Sequence, residues 1–422
     1  MTPQVGLTVV CPVLPGHADA VRGVLAGMGG RPADNEFVPF GRLPGVHFAR
    51  LLLLEETRDL QGRPIPAELV LMADLDGPLE ARLAELTAVA GDGLDSLLSH
   101  CEGYGPGSAT AFLRAHSVRA DALYVNTVGR TAAQVRDEAR LRDAIEGFLD
   151  GCPPDPDAGP LEVRERIRDF VRRQPELAWA AEPAVERDPA WHLRQVVFLG
   201  LLPLLVLVVA VAVLPLTVLA LAAFVVTLRV HEVRDPVSSE RPAPQHLLEL
   251  AALEDRGPQN QFSAVGFVKP GPFRQFTARL VLFLTDYGAR HVFFHANLAG
   301  VKTIHFARWA PLDGRRRMIF ASNYDGSVES YMDDFIDKVW WGLNATFSNG
   351  AGYPRTDFLL FHGSRDEGAF KDFLRVHQVP TQVWYSAYDR LTCLNVETNA
   401  RIRAGLSGPM SAADARRWLA LL

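Results

Sequence analysis

Polar side chains that could do chemistry lie on and beside predicted strands in the second half of this 422-residue chain. His305 and Arg308 lie in one strand-like run, and Asn323 and Asp325 end the next one. A buried arginine or histidine costs several kcal/mol unless it is paired, so each should have a partner. We take His305, Arg308, Asn323 and Asp325 as candidate catalytic residues, and Asp325 as the expected partner of Arg308.

The same pattern occurs earlier in the chain. The motif His-Phe-Ala-Arg appears at residues 47–50 and 305–308, each time ahead of an Asp-Gly pair at 76–77 or 325–326. Arg50 and Asp76 therefore form a second predicted pair. A catalytic site usually breaks the symmetry of a duplication, so the repetition favours a structural role in which the pairs hold strand ends together.

His291, His295 and His362 of the second half have no counterpart in the first, and aromatic residues lie on or just after the last predicted strand. They could line a pocket for a flat cofactor or a lipid-like substrate. The alternative is that the aromatic residues simply belong to the core. The candidate cofactor-binding residues are His291, His295, His362 and Tyr385.

Several familiar site motifs are missing from the sequence. There is no G-x-x-x-x-G-K-[ST] loop, no G-x-S-x-G turn, no H-E-x-x-H helix and no G-x-G-x-x-G after the first predicted strand. These gaps argue against P-loop, hydrolase, zinc-protease and dinucleotide chemistry. The formal net charge of −6 argues against a nucleic-acid partner. The four cysteines form no C-x-x-C pair, so neither a metal site nor a disulfide framework is predicted.

The predicted strands and helices that carry these residues occur in the same order in both halves of the chain. Further collinear matches support an internal duplication: residues 103–104 with 352–353, 112–116 with 373–377, and 139–142 with 400–403. The hydrophobic patterns predict strands at 6–13, 46–55, 67–73, 122–127, 262–268, 303–310, 317–322, 358–361 and 382–387. They predict helices at 17–28, 78–100, 109–116, 272–287, 327–347 and 369–377.

This order contains the β-α-β-β-α-β unit of ferredoxin-like domains. Such a unit leaves one apolar sheet face uncovered, and two copies can bury these faces against each other. We therefore predict an α+β protein of two tandem ferredoxin-like repeats, packed as a pseudo-symmetric dimeric α/β barrel. The predicted parts are repeat 1 (1–151), a linker (152–194), a membrane segment (195–228), a second linker (229–260) and repeat 2 (261–422).

The membrane segment carries no charged residue and consists almost wholly of apolar ones. Its length falls between one straight span and two full spans. It is either a single tilted span or a helical hairpin that turns near Pro215. Arginines flank both ends, and face-to-face repeats must share one side of the membrane, so we predict a hairpin with both soluble halves cytoplasmic.

The first linker contains an amphipathic pattern over residues 161–173, with apolar residues at helical spacing and several arginines. These arginines could contact anionic lipid headgroups, or they could form a solvated face balanced by nearby acidic residues.

The tandem plan resembles the dimeric α/β-barrel superfamily, which includes dye-decolourising peroxidases. Those enzymes carry a G-x-x-D-G motif, and residues 73–77 and 322–326 keep its Asp-Gly without the first glycine. The resemblance implies haem, with an axial histidine in the second half. The function expected on this basis is haem-dependent, peroxidase-like oxidation of an apolar substrate by a membrane-anchored protein. The alternative is a non-catalytic scaffold at the lipid bilayer that binds a lipid or a protein.

Overall fold

The computed structural model describes residues 4–155, 157–182, 189–293 and 297–422 as a mixed α+β protein. Eight main strands carry the fold. They are β1 (Gln4–Pro12), β2 (Val46–Leu54), β3 (Glu68–Asp76), β4 (Ala122–Val125), β5 (Gln259–Phe267), β6 (Ile304–Leu312), β7 (Arg317–Asp325) and β8 (Val383–Ser386). Two short hairpins add Thr57–Arg58 with Pro64–Ile65, and Thr356–Asp357 with Phe361–His362. The predicted strand at 358–361 is replaced by the second of these hairpins.

The strands form two four-stranded antiparallel sheets that exchange their last strands. The first sheet has the order β1-β3-β2-β8, and the second has the order β4-β6-β7-β5. Strand β8 from the second half pairs with β2, and β4 from the first half pairs with β6. Neither sheet can therefore be completed by one half of the chain alone.

The two sheets face each other across an apolar layer. Leu52 and Val70 of the first sheet and Ala310 and Ile319 of the second are completely buried in one cluster. Within the described residues the strands remain in two separate sheets and do not close into a barrel.

Fourteen helices are described in the same parts of the chain. They are α1 (Ala18–Gly29), α2 (Leu79–Leu98), α3 (Ala109–Ala115), α4 (Ala132–Gly151), α5 (Pro160–Arg173), α6 (Pro189–Val196), α7 (Leu202–Ala212), α8 (Leu214–Arg234), α9 (Pro244–Ala251), α10 (Pro272–His291), α11 (Val328–Phe347), α12 (Glu367–His377), α13 (Cys393–Ala404) and α14 (Ala412–Leu419). Helices α1, α2 and α3 cover the outer face of the first sheet, while α10, α11 and α12 cover that of the second.

The predicted amphipathic helix is α5, and its apolar face packs inside the protein. Val163, Ile167 and Val171 are buried in a core formed with α4, α13 and α14. On its polar face, Arg168 and Arg172 pair with Glu165. The solvated, charge-balanced interpretation therefore describes this helix better than headgroup contact does.

The apolar segment forms two helices that are long and apolar enough to cross a membrane. They are Ala190–Ala212, which includes one π-helical turn, and Leu214–Arg234. The break lies at Val213, and Pro215 occupies the first turn of α8, where a missing N–H costs little.

Both ends of this apolar segment contact α10. Near its start, the ring of Phe198 lies 4.6 Å from that of His291. Towards its end, Phe224 lies 5.4 Å from Phe273, at the other end of α10. The segment therefore leaves the soluble part of the protein and returns to the same helix.

Candidate functional site

Two β-bulges bring the paired histidines into the layer between the sheets. The registers of β2 and β6 shift at His47 and His305, respectively. Strict alternation would place His305 and Arg308 on opposite faces of β6. The bulge removes this alternation, so the ring of His305 lies 5.3 Å from that of Phe48 in the opposite sheet.

Arg308 crosses between the sheets and pairs with the carboxylate of Asp74. Its guanidinium also donates to the carbonyls of Leu7 (2.5 Å) and Ala73 (2.8 Å). The predicted pairing with Asp325 is therefore wrong, although a buried carboxylate partner does exist. The reason is that Arg308 faces the inter-sheet layer, where the first sheet supplies the nearest acceptors.

Arg50 makes the mirror-image contacts in the second sheet. It donates to the carbonyls of Phe262 (2.7 Å) and Ser322 (2.8 Å) and to Oδ1 of Asn323 (2.6 Å). The predicted pairing of Arg50 with Asp76 is wrong for the same reason. Asn323 occupies the position that Asp74 holds opposite Arg308, so Arg50 has an amide where Arg308 has a carboxylate.

A single carboxylate thus serves both guanidinium groups. Asn323 Nδ2 donates to Asp74 Oδ2 at 3.0 Å, which connects the two sets of contacts. Burial lowers the pKa of Arg50 to about 10, and the charge of Asp74 opposes this shift. The two arginines, Asp74 and Asn323 form a central polar cluster whose hydrogen bonds, together with the Arg308–Asp74 ion pair, link the sheets.

The two remaining aspartates join each histidine to the start of a helix. Asp325 Oδ1 lies 2.7 Å from His305 Nε2, and its Oδ2 accepts the backbone N–H of Cys393 at 2.7 Å. Asp76 makes the same contacts with His47 at 3.1 Å and with the N–H of Ala132 at 3.3 Å. A carboxylate at a helix N-terminus is favourable because the helix dipole is positive there.

The contacts around Asp325 also have the residue types of a metal site. Donor atoms of His305, Asp325 and Cys393 lie within 4.8 Å of one another. Burial, followed by the charge of Asp325, raises the pKa of the Cys393 thiol, which keeps it protonated. Both carboxylate oxygens of Asp325 already accept hydrogen bonds, one from the His305 imidazole and one from the Cys393 backbone N–H, so these contacts favour a structural role.

All four candidate catalytic residues therefore lie in or beside the inter-sheet layer. His305, Arg308, Asn323 and Asp325 are each at most 8% exposed. Their polar groups contact one another, residues of the first half and, in the second half, Cys393 and Trp384. The sequence matches did not reveal these partners. The arrangement holds strands and helices together and offers no exposed reactive group.

The candidate cofactor-binding residues occupy different surroundings. His291 lies on α10, where it hydrogen-bonds Gln195 at 3.3 Å. His362 is exposed beside Asp357, and Tyr385 on β8 stacks on Phe40 at 5.7 Å. His295 lies outside the described residues. The structure does not bring the described three together.

An apolar cavity of about 280 Å³ lies between the second sheet and helices α10 and α11. Small residues make room for it, and none of its described lining residues is charged. These small residues are Gly288 and Ala289 on α10, and Gly342 and Ala345 on α11. Sequence reasoning missed the cavity, although small residues just after one predicted helix (272–287) and within another (327–347) could have indicated it.

The cavity opens beside exposed apolar side chains. Leu284, Trp341 and Leu360 line it while remaining 56%, 43% and 39% exposed. On the same helix as Leu284, Phe276 and Phe283 are also exposed. Apolar surface therefore continues from the cavity along α10, the helix that both ends of the membrane segment contact.

Comparisons with protein families, curated proteins and solved structures found no match to this chain. The haem expectation needs an axial histidine facing a cavity, and no described lining residue of the 280 Å³ cavity is a histidine. The described residues do not fit haem at this cavity.

Proposed function

We propose that the protein inserts into one side of a membrane and takes an apolar ligand from the bilayer into the cavity of its second half. The observation that carries this proposal is the 280 Å³ apolar cavity, whose mouth continues into the exposed face of α10. Binding sites of this kind are concave, mostly apolar and largely pre-formed. No histidine reaches the cavity among the described residues, so we favour ligand binding over haem-dependent oxidation.

The membrane arrangement that fits this function is a shallow hairpin. Its two arms, from Phe198 to Val213 and from Val213 to Phe224, are about 23 and about 17 Å long at ~1.5 Å per residue. Because both arms start on α10, the tip at Val213 reaches about one leaflet deep into a hydrocarbon core of ~30 Å. Such a hairpin leaves both soluble halves on the same side, which we propose is the cytoplasm.

The fold that supports the proposal is a pair of ferredoxin-like repeats that arose by duplication and packed face to face. Support comes from the matched contacts of Arg50 and Arg308, and from the matched bulges at His47 and His305. The strand exchange between the sheets is an elaboration of that plan.

Ligand binding can be tested with N-phenyl-1-naphthylamine, a neutral apolar dye that fluoresces in apolar sites. Detergent-purified full-length protein should bind it saturably. The substitution Ala289→Phe fills the cavity and should weaken binding at least tenfold. Ala412→Phe, which makes the same change at an exposed position, is the matched control. Equal binding by all three proteins would reject the proposal.

The hairpin can be tested separately by reporter fusions at Met1 and Leu422. Both reporters should be active on the cytoplasmic side. Reporters on opposite sides of the membrane would show a single span and would reject the shallow hairpin, whatever the result with the dye.

A further inference from the structure

A short loop of large apolar side chains is exposed beside the end of the membrane segment. This apolar loop consists of residues 358–361 and belongs to the second short hairpin. Phe358, Leu360 and Phe361 are 47%, 39% and 50% exposed, whereas Leu359 between them is buried. Exposed apolar residues that cluster in this way mark a surface that contacts a partner or a membrane.

The apolar loop is fixed to the last turns of α8. The carboxylate of the buried Glu232 accepts the backbone N–H groups of Phe358 at 2.9 Å and Leu359 at 2.7 Å. Both of these residues have positive φ angles, of 57° and 63°, which residues other than glycine seldom adopt. Arg229, three residues before Glu232, lies 5.2 Å from the centre of the Phe358 ring. The second apolar helix therefore holds the loop in the conformation that exposes its large side chains.

This attachment places the apolar loop at the level of the membrane surface. Arg229 is the first charged residue after the uncharged segment 195–228, and it lies only five residues, or ~8 Å along the helix, beyond Phe224. Arg355 precedes the loop and Arg365 follows it, and both are exposed. Exposed aromatic side chains flanked by arginines suit the boundary between acyl chains and phosphate headgroups.

From this placement we infer that residues 358–361 insert into the bilayer as a second membrane anchor, separate from the apolar hairpin. The partner that covers this surface is the lipid bilayer, because the loop is bound to the helix that enters it. The inference rests on the membrane arrangement of the proposed function and adds a contact to it. Leu360 belongs to the loop and also lines the cavity, so the inserted loop opens the mouth of the cavity directly to lipid.

The test measures how deeply single labels lie in proteoliposomes of phosphatidylcholine and phosphatidylglycerol. Cys152, the exposed cysteine, is first replaced by serine in the full-length protein, since Cys11, Cys101 and Cys393 are buried.

Single cysteines are then introduced as Phe361→Cys, Phe358→Cys, Val89→Cys or Val213→Cys and labelled with a nitrobenzoxadiazole fluorophore. Val89 is an exposed apolar residue on α2, which covers the other sheet, so Val89→Cys is the matched control. A lipid that carries a doxyl quencher on its acyl chain should quench the labels at 358 and 361 at least threefold more strongly than the label at 89.

The label at Val213, the tip of the hairpin, separates this inference from the proposed function. Strong quenching at 213 with equal, weak quenching at 361, 358 and 89 would overturn the inference and leave the hairpin standing. That result is expected if a second copy of the chain or another protein covers the loop. No quenching at 213 would reject both the hairpin and the inference. The two loop positions are independent variants, so failure of one to fold still leaves the other to decide.

Discussion

Arg308 and Trp309 are neighbours on β6, yet their side chains lie in two different layers of the protein. Arg308 points into the layer between the sheets, where backbone and side-chain acceptors from the first half surround its guanidinium. Trp309 points to the outer layer, where it lines an apolar cavity. The inter-sheet layer is filled and its polar groups are paired, as in a scaffold, whereas the outer layer keeps an apolar space, as in a binding site.

In the first half, the corresponding space between the sheet and its helices is filled. Its sheet and helix α2 leave only about 10 Å³, surrounded mainly by leucines. The backbone of Phe37 lies so close to Gly93 of α2 that a side chain there would clash. Gly342, at the matching position of α11, lines the cavity instead. The two halves thus differ at this glycine: the backbone of Phe37 fills the space beside Gly93, whereas Gly342 borders the cavity.

The largest loss of stability should come from removing the second half of the chain, and with it the inter-sheet layer. A fragment of residues 1–151 would expose one face of its sheet and would leave β4 without β6 and β2 without β8. We expect it to be unfolded or aggregated when expressed alone. A soluble monomer with a cooperative thermal transition would show that the layer is not required.

Substitution of the two arginines should show that Arg308 contributes more to the free energy of unfolding than Arg50 does. Arg308→Ala leaves the Asp74 carboxylate without its guanidinium and should cost ~3–5 kcal/mol of unfolding free energy. The double change Arg308→Met with Asp74→Asn should recover part of that loss, because no lone carboxylate stays buried. Arg50→Met should cost less than Arg308→Met, since the partner of Arg50 is the neutral Asn323. Denaturant titrations measure all four, and a wild-type value for Arg308→Ala would contradict the account.

Adding volume should affect the two outer layers differently. Ala90→Phe introduces a ring into the filled core of the first half and should cost ~1–3 kcal/mol. Ala289→Phe introduces the same ring into the cavity and should leave the melting temperature equal to or above that of the wild type. A similar loss of stability in both variants would mean that the cavity cannot accept an apolar group.

The smallest expected change is in the pH dependence of stability, and it concerns His377, which lines a cavity of about 70 Å³ beside the larger one. Its pKa is lowered by burial, so the unfolded chain binds this proton more readily than the folded one. Stability should therefore rise with pH up to the unfolded pKa of ~6.5 and fall below it, by roughly 1 kcal/mol per pH unit. His377→Gln should flatten this dependence between pH 5.5 and 7.5. His362→Gln, at an exposed histidine, should not change it.

Hydrophobic periodicity predicted most strands and helices of the structure, including β2, β6, α10 and α11. It also predicted a break near Pro215, where two apolar helices meet at Val213. Helices α4 and α13 were missed, because their patterns are weak and their apolar residues pack mainly on other helices and loops. The exchange of β4 and β8 could not be read from the sequence, since pairing between distant strands leaves no local pattern.

The sequence indicated that these polar residues need buried partners, and the repeated pairs favoured a structural role, but the partners themselves were not predicted. His305, Arg308, Asn323 and Asp325 do lie close to the inter-sheet layer. The bulge at His305 and the partner Asp74 depend on the register between strands, which a single sequence does not encode locally. The cavity exists because several lining residues have small side chains. Small residues are harder to recognise in a sequence as a binding site than reactive side chains are.

Native mass spectrometry of the detergent-released protein tests the central claim most directly. The account predicts that the wild type carries one uncharged apolar molecule acquired from the membrane, and that Ala289→Phe, purified in the same way, carries none. Wild-type protein of bare chain mass, or the same bound molecule in both proteins, would contradict the claim that the second-half cavity binds a ligand from the bilayer.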